Sequence, residues 1–264
     1  MKLALLIGID YINTSSQLYG CINDVSNVKS VLTEHYDYDP NNITVLTDRT
    51  ERKPTRDNIL TELYELILKS HREDVTDIFI GYSGHGTRTR DTSGDEKDGY
   101  DEMIVPLDFK LIRDDHLYRI IQLLNYNCRC FCLFDSCHSG SVLDLGYQVT
   151  PATPNEDGIL VSTSDNSPSP GTQDEVQKET EDRFPSIVIS GCKDNQYSQE
   201  CWVGQIQGAM TTAFLFLLQE YEYDISYEKM IYEMNKLLKV YAFSQIPILS
   251  SSSSKFDLSQ RLML

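Results

Sequence analysis

The sequence predicts an α/β fold in which a mostly parallel central sheet carries helices on both faces. Several short apolar runs, such as LALLIGID near the start, are typical of strands that are buried on both faces. Most of these runs are followed by a segment with helical periodicity, and that alternation is the pattern of a parallel sheet covered by helices. At 264 residues the chain is long enough for one large domain with a well-filled core.

The elements follow one another in a regular order. Asn23 and Asp24 are predicted to cap the first helix, and Thr55 to cap the second. The predicted strands cover residues 3–10, 43–46, 77–83, 128–135, 159–162 and 186–190. Beyond the two capped helices, further helices are predicted at 115–124, 208–221 and 226–241.

One segment interrupts this pattern. Residues 164–183, SDNSPSPGTQDEVQKETEDR, contain almost nothing to bury and several turn-forming residues. We therefore predict a mobile linker that divides a single domain, 1–264, into a larger portion, 1–163, and a smaller portion, 184–264.

The charge balance disfavours several kinds of partner, and solubility alone is the alternative explanation for it. Forty acidic residues against 23 basic ones give a formal charge of −17. Such a surface repels nucleic acid and anionic membranes and attracts cations or basic peptides. No apolar run approaches the length of a membrane span, and the short N-terminal apolar run lacks a signal-peptide cleavage site. The seven cysteines are odd in number and clustered, so we expect reduced thiols and a cytoplasmic protein.

Two predicted strands end in reactive side chains. The strand at 77–83 leads to His85 between two glycines, and the strand at 128–135 leads to Cys137. Because the carboxyl ends of parallel strands meet at one edge of a sheet, we expect the two side chains to be neighbours. A thiol beside an imidazole is the minimum for cysteine nucleophilic catalysis, and the amides of Gly86 and Cys137 are placed to form an oxyanion hole. The alternative is a core cysteine and an unrelated turn histidine.

Two metal-binding interpretations compete for the same region. Residues 91–102, DTSGDEKDGYDE, resemble an EF-hand loop, but Glu96 stands where that loop needs glycine, so we reject it. A zinc site is the other candidate, although cysteines at alternate strand positions are spaced about 6.6 Å apart, too far for one tetrahedral ion. Its ligands would be Cys128, Cys130, Cys132, Cys137 and His138. We favour burial of the first three as small apolar side chains.

Two motifs together resemble the catalytic motifs of the metacaspases, the caspase-like cysteine peptidases. They are YSGHG at 82–86 and FDSCHSG at 134–140. The similarity covers nearly the whole chain, because further landmarks follow in family order: LIGIDY, LYGCINDV, GDEKDGYDEMIVPLDF, ISGCKDNQYS and GAMTTAF. The resemblance implies a caspase-like fold with Cys137 as nucleophile and His85 as general base and acid.

The resemblance also implies a substrate preference. The family cleaves after arginine or lysine, using an acidic pocket (S1) for the side chain that precedes the cleaved bond (P1). The matching positions here are Cys21, Asp24, Ser83 and Asp135. The chemistry agrees, since two carboxylates favour a guanidinium or ammonium group and penalise an acidic one.

Calcium is the cofactor that the resemblance implies, because many family members need it. The matching ligands are Asp101, Asp114, Asp115 and Asp144, although the spacing between the first two is about three residues shorter than is usual in the family. Hard oxygen ligands from separate loops suit this ion.

The chain also departs from the family pattern. We expect the N-terminal prodomain of many members to be absent, and the chain resembles the compact first type. QECW replaces a small acidic segment of the family, so Trp202 is expected at the pocket rim. Lys178 and Arg183 in the linker are candidate self-cleavage sites. The resemblance implies a monomer with protein substrates. The alternative is a catalytically inactive homologue that acts as a binding protein or regulator.

Overall fold

The computed structural model describes residues 1–72, 74–90, 100–125, 127–136, 145, 147–150, 162–165, 185–191, 199–253 and 255–264. The helices are α1 (Cys21–His35), α2 (Arg56–Arg72), α3 (Asp114–Ile121), α4 (Ala209–Glu220) and α5 (Tyr227–Val240), with a short 3₁₀ turn at Pro40–Asn42. The strands are β1 (Lys2–Gly8), β2 (Ile43–Thr47), β3 (Asp77–Ser83), β4 (Gly86–Arg90), β5 (Tyr100–Ile104), β6 (Ile112–Arg113), β7 (Arg129–Asp135), β8 (Tyr147–Thr150), β9 (Ser162–Asp165), β10 (Ser186–Ser190), β11 (Glu200–Trp202), β12 (Ile206–Gly208) and β13 (Ile248–Ser251).

An eight-stranded sheet in the order β2-β1-β3-β7-β10-β13-β8-β9 forms the centre of the molecule. The pairs from β2 through β10 are all parallel. The last three strands, β13, β8 and β9, join in antiparallel fashion. The predicted mostly parallel sheet is therefore confirmed.

Apolar side chains alternate between the two faces of this sheet. In β1, Leu5 and Ile7 belong to the core beneath α2 and α3, whereas Leu6 belongs to the core beneath α1, α4 and α5. A strand that is covered on both sides has no solvent face to keep polar, which explains the unbroken apolar runs in the sequence. The prediction of helices on both faces is confirmed.

The start of α1 differs from the prediction. The helix begins at Cys21, so Asn23 and Asp24 lie inside its first turn and do not cap it. Asp10, from the loop after β1, takes the capping role instead. Its Oδ1 accepts hydrogen bonds from the amides of Cys21 (3.0 Å) and Ile22 (3.3 Å), two of the donors that a helix start leaves unpaired. The predicted cap at Thr55 is confirmed, because its Oγ1 accepts from the amide of Asn58 at 3.4 Å.

Other boundaries and several short strands also differ from the prediction. Helix α3 spans 114–121, whereas 115–124 was predicted. A strand was predicted at 159–162, of which residues 159–161 lie outside the described residues, and β9 begins at residue 162. A small sheet of β4, β5 and β6 and a hairpin of β11 and β12 were not anticipated. These strands are short and partly polar, so periodicity does not reveal them.

The strand cysteines are buried, as predicted. Cys130 and Cys132 lie in the core under α2 and α3, and Cys128 donates its thiol to the Val75 carbonyl at 3.0 Å. The sulfur atoms of Cys130 and Cys132 are 3.7 Å apart, closer than the backbone spacing suggests, because side chains lean along a strand. No group of three potential metal-binding side chains occurs among the residues that the structure describes, a set that excludes Cys137 and His138. Within the same described residues, no helix has the length and apolar character needed to cross a membrane.

Candidate active site

The two strands that carry the predicted catalytic motifs are direct neighbours in the sheet. In the parallel pair of β3 and β7, Ser83 lies opposite Asp135. His85 follows two residues after Ser83, and Cys137 follows two residues after Asp135. Cys137 lies outside the described residues. The register nevertheless brings the two chain segments to the same edge of the sheet, as expected for parallel strands.

Two buried tyrosines hold the backbone of His85. The amide of His85 donates to the hydroxyl of Tyr11 at 3.0 Å, and the hydroxyl of Tyr82 donates to the His85 carbonyl at 2.7 Å. Tyr11 in turn donates to the Val105 carbonyl at 2.5 Å. Burial raises the pKa of both phenols, so both remain protonated and able to donate.

Gly84 leaves room for this arrangement. A Cβ atom at position 84 would lie 2.8 Å from the Tyr82 hydroxyl oxygen and 3.1 Å from that of Tyr11. A larger residue would therefore push one tyrosine away from His85. This steric requirement accounts for glycine before the histidine in the YSGHG motif.

The ring of His85 is oriented by a backbone carbonyl. Its Nε2 lies 2.8 Å from the Ser16 carbonyl oxygen, and the ring lies against that of Tyr11 with centroids 4.7 Å apart. A carbonyl only accepts, so Nε2 must carry a hydrogen, and Nδ1 is the acceptor nitrogen of the neutral ring. Nδ1 is thus the atom of His85 that can take a proton from a thiol.

A carboxylate pair lies beside this histidine. Asp24, on the first turn of α1, is 2% exposed and accepts a hydrogen bond from Ser83 Oγ at 2.6 Å. The amide of Gly208, just before α4, donates to both oxygens of Asp24, at 2.9 and 3.1 Å. The predicted pocket residues Asp24 and Ser83 are therefore in direct contact, although they are far apart in sequence.

Asp135 is the second carboxylate, and it is anchored on α4. Its Oδ2 accepts from both the amide and the hydroxyl of Thr211, each at 2.9 Å. A Cβ atom on Gly208 would lie 2.2 Å from Asp135 Oδ2 and 2.8 Å from Asp24 Oδ2. The two carboxylates therefore sit close together above the Gly208 backbone, in a space that only glycine leaves open.

Burial and mutual repulsion shape the electrostatics of this pair. Burial, followed by the Asp135 charge, raises the pKa of Asp24 well above its ordinary value. Burial likewise raises the pKa of the Cys21 thiol, with a contribution from Asp24, so Cys21 is a neutral wall of the pocket. Such a site is unfavourable when it is empty and is relieved by an incoming cation.

A cavity of about 70 Å³ joins these groups to the histidine. It is lined by Leu18, Cys21, Ser83, Gly84, His85, Asp135, Gln199, Glu200 and Gly208. Three of the four predicted pocket residues thus share one cavity with His85, and the fourth, Asp24, contacts Ser83 and Gly208 in its wall. Trp202, expected at the rim, is 74% exposed and does not line the described part of the cavity, whereas Glu200 does.

The predicted calcium ligands are only partly assembled. Asp101 and Asp114 are both buried, and burial is the main cause that raises the pKa of Asp114 to about 7. However, Asp101 forms an ion pair with Arg113, with Oδ2 and Nη1 3.0 Å apart. Asp115 Oδ2 lies 3.7 Å from Arg119 Nη2. Asp144 is outside the described residues.

Carboxylate oxygens are the ligands that calcium prefers, but the acids among the described residues do not form a group of three that could hold the ion. Glu102, which follows Asp101 in β5, is fully buried and was not among the predicted ligands. Asp114 Oδ2 already accepts from the Glu102 amide at 3.2 Å, which ties β5 to the start of α3.

Several functional neighbours were missed from sequence. Tyr11, Ser16, Gly208 and Thr211 hold the predicted residues in place, and Glu200 lines the cavity. The motifs LIGIDY and GAMTTAF gave a signal for Tyr11, Gly208 and Thr211, but no role. Ser16 acts through its backbone carbonyl, so its side-chain type carries no signal. The candidate self-cleavage residues Lys178 and Arg183 lie outside the described residues.

The chain is similar to several known proteins. A family model described as metacaspase, peptidase C14 domain, matches residues 2–146. Metacaspase-1A of Aspergillus oryzae is 37% identical over 291 residues, which cover 97% of this chain and 68% of that protein. Metacaspase-1 of Mycosarcoma maydis is 36% identical, covering 94% of this chain and 70% of its own length. The crystal structure of a Geobacter sulfurreducens protein has a TM-score of 0.66 at 23% identity, covering 99% and 98% of the two chains, which shows a shared fold.

Proposed function

The chain belongs to the metacaspase family of cysteine peptidases, and on that premise we propose that it cleaves proteins after arginine or lysine through Cys137 and His85. The observation that carries the proposed specificity is the buried pair of carboxylates, Asp24 and Asp135, in the wall of the cavity that contains His85.

The first chemical step is attack by the thiol on the substrate carbonyl. The Cys137 proton passes to His85 Nδ1, the Sγ–C bond forms, and the carbonyl oxygen becomes an anion. The hydrogen bond from Nε2 to the Ser16 carbonyl holds the ring in the tautomer that this step requires. It also stabilises the imidazolium that results.

The amides of Gly86 and Cys137 are the proposed oxyanion hole. The His85 carbonyl accepts from the Val105 amide at 3.1 Å, toward β5. Strand alternation then turns the next amide, that of Gly86, to the opposite edge of β4. A backbone donor aimed at the developing oxyanion stabilises the transition state more than the ground state.

The second half of the cycle regenerates the enzyme. The imidazolium of His85 gives its proton to the leaving amine as the C–N bond breaks. Water then attacks the thioester and loses a proton to His85, and the Sγ–C bond breaks as the new carboxylic acid leaves and His85 returns that proton to Sγ. No external oxidant or reductant is consumed.

The pocket explains why a basic P1 side chain is expected. A guanidinium or ammonium group that enters beside Asp24 and Asp135 neutralises two nearby negative charges in a poorly solvated space. An aspartate side chain would add a third negative charge and lose its own hydration. Cys21 and Ser83 complete the predicted wall.

Calcium is the proposed activator. Asp101, Asp114, Asp115 and Asp144 would hold it, and bound calcium would offset the buried negative charge and fix the segments that carry these ligands. Arg113 supplies part of that positive charge in this structure, through its ion pair with Asp101.

Cleavage of the chain itself after Lys178 or Arg183 would follow from the same specificity. We also propose that the enzyme is a monomer and that it is cytoplasmic. Free thiols support the second of these, since they are typical of a reducing compartment, and the described cysteines that are free are Cys21, Cys128, Cys130, Cys132 and Cys201.

Fluorogenic peptides test the proposal. Arginine and lysine P1 peptides should be cleaved in calcium at least about 100-fold faster than the matched aspartate peptide, because the acidic pocket rejects an anion. Cys137→Ala should abolish cleavage, whereas the control Cys201→Ala, outside the cavity, should retain it. Preferred cleavage of the aspartate peptide would refute the pocket. Equal arginine cleavage in calcium and in chelator would refute calcium activation.

A further inference from the structure

We propose that Glu200 is a third acidic residue of the S1 pocket, placed at its mouth, and that it makes the pocket prefer arginine to lysine. This inference rests on the proposed function, because it concerns the same pocket. The family motifs that identified Cys21, Asp24, Ser83 and Asp135 did not point to it.

The position of Glu200 follows from the pairing of β11 with β12. Glu200 lies directly opposite Gly208 in this hairpin. Gly208 is the residue whose amide donates to Asp24 and whose Cα faces both inner carboxylates. Glu200 also lines the cavity that contains His85 and Asp135. A single hairpin therefore places a third acid next to the first two.

The carboxylate of Glu200 is held in place by the backbone before α1. Its Oε1 accepts hydrogen bonds from the amides of Tyr19 (2.8 Å) and Gly20 (2.6 Å). A Cβ atom on Gly20 would lie 2.8 Å from the carbonyl carbon of Gln207, so only glycine allows this close approach to β12. Two backbone amides thus hold the Glu200 carboxylate beside the start of α1.

Side chains on α1 fasten the same hairpin. Asn23 Nδ2 donates to the Ile206 carbonyl at 2.7 Å, and Asn27 Nδ2 donates to Gln207 Oε1 at 2.8 Å. The mouth of the pocket is therefore built from two rigidly joined elements, which is the condition for geometric selectivity.

The inner acids, Asp24 and Asp135, differ from the outer acid, Glu200, in their hydrogen bonds to the protein. Asp24 accepts three protein hydrogen bonds and Asp135 accepts two from Thr211. Glu200 is exposed, and among the described residues no hydrogen bond to its Oε2 is found. Its charge is nevertheless close enough to contribute to the raised pKa of Asp24. Within the described part of the chain, one oxygen of Glu200 is thus held by backbone amides and the other accepts no hydrogen bond.

Donor geometry explains why arginine gains more from this residue than lysine. A guanidinium presents five N–H donors along the edges of a plane, so it can contact acids on two sides at once. An ammonium is a compact charge with three donors and is satisfied by the inner pair alone. Removal of the Glu200 charge should therefore weaken arginine substrates selectively.

The test compares arginine and lysine P1 peptides in Glu200→Gln. Glutamine keeps an oxygen that can accept from Tyr19 and Gly20, so the substitution removes mainly the charge. We expect kcat/KM for the arginine peptide to fall about tenfold, mostly through KM, and for the lysine peptide about two- to threefold.

Two further variants serve as controls. Glu200→Asp, which keeps the charge, should recover part of the arginine preference. Glu34→Gln, an exposed residue at the far end of α1, removes one charge away from the pocket and should leave both values unchanged.

Equal losses for both peptides, or an unchanged ratio, would overturn the inference. Failure of the proposed function is visible separately, since the wild-type enzyme would then cleave neither basic peptide. If Glu200→Gln does not fold, competitive inhibition of the wild type by n-butylguanidine and n-pentylamine provides the second measurement. The guanidine should bind several-fold more tightly, and equal inhibition would contradict the role of Glu200.

Discussion

In the proposed pocket, Asp24 would serve substrate recognition at the expense of stability. It is almost completely buried, and its neighbour Asp135 carries a charge of the same sign. The fold therefore disfavours the ionised form of Asp24, which is the form that a basic substrate needs. In the proposed mechanism, the substrate's cation would compensate this group during binding.

Replacement by asparagine should separate these two effects. Because the folded-state pKa of Asp24 is raised above its ordinary value of 3.8, the folded protein holds the proton more tightly than the unfolded chain does. Stability from this group is complete below pH 3.8 and declines as the pH rises toward the folded-state pKa. Asp24→Asn removes that decline, so we expect the thermal midpoint at pH 8 to rise by roughly 2–4 °C. Cleavage of arginine peptides should fall about 10- to 100-fold.

Calorimetry at pH 5 and pH 8 and peptide kinetics check this prediction. The matched control is Asp37→Asn, which removes one charge at an exposed position. It should change neither the difference between the thermal midpoints at pH 5 and pH 8 nor the rate of peptide cleavage. A midpoint for Asp24→Asn that lies below the wild type at pH 8, or unimpaired arginine cleavage, would show that Asp24 is not a strained recognition group.

At the scale of elements, the sequence was most informative where a strand is buried on both faces. The composition of four strands was enough to predict them, because nearly every side chain of a strand buried on both faces must be apolar. These strands are β1, β3, β7 and β10. β4, β11 and β12 are short and contain polar residues, so they form strands through pairing with β5 or with each other, which their own composition does not reveal. The helix start at Cys21 was missed for a similar reason, because its cap comes from Asp10 and not from the neighbouring sequence.

The junction of β12 and α4 is the element that forms the floor of the pocket, and Gly208→Ala tests it. Gly208 has φ −63° and ψ 136°, which alanine adopts freely, so the effect of the change is steric and not conformational. The new methyl group would overlap both carboxylates. We expect a loss of about 1–3 kcal/mol in the free energy of unfolding and a fall of about 100-fold or more in cleavage of basic peptides.

Gly204→Ala in the β11–β12 turn is the matched control for this change. Gly204 has φ +73°, and a Cβ atom added there would have no neighbouring atom within 4 Å, so alanine costs about 1 kcal/mol in backbone conformation without any clash. Denaturant unfolding should show a lower free energy of unfolding for both variants, whereas peptide cleavage should be lost only in Gly208→Ala. Normal cleavage by Gly208→Ala would contradict the assigned position of the pocket.

At the scale of the whole molecule, the site depends on contacts that only the folded chain creates. His85, Ser83 and Asp135 were predictable together, because they end adjacent parallel strands and the motifs mark them. Glu200, Gly208 and Thr211 come from the far portion of the chain and approach the site only when β10 pairs with β7. No local pattern encodes that approach. The proposed calcium ligands show the same dependence, since the ion pair of Arg113 with Asp101 could not be predicted from their spacing.

The central claim is that Cys137 is the reactive thiol and that His85 and the acidic pocket direct it. An arginyl chloromethyl ketone tests this directly, because the reagent alkylates a thiolate only after its guanidinium is bound. Peptide mapping by mass spectrometry should find one adduct, on Cys137, formed at least about 100-fold more slowly in His85→Ala. The aspartyl reagent should leave the enzyme unlabelled. Labelling of Cys21 or Cys201 in place of Cys137, or equal labelling by the aspartyl reagent, would contradict the account.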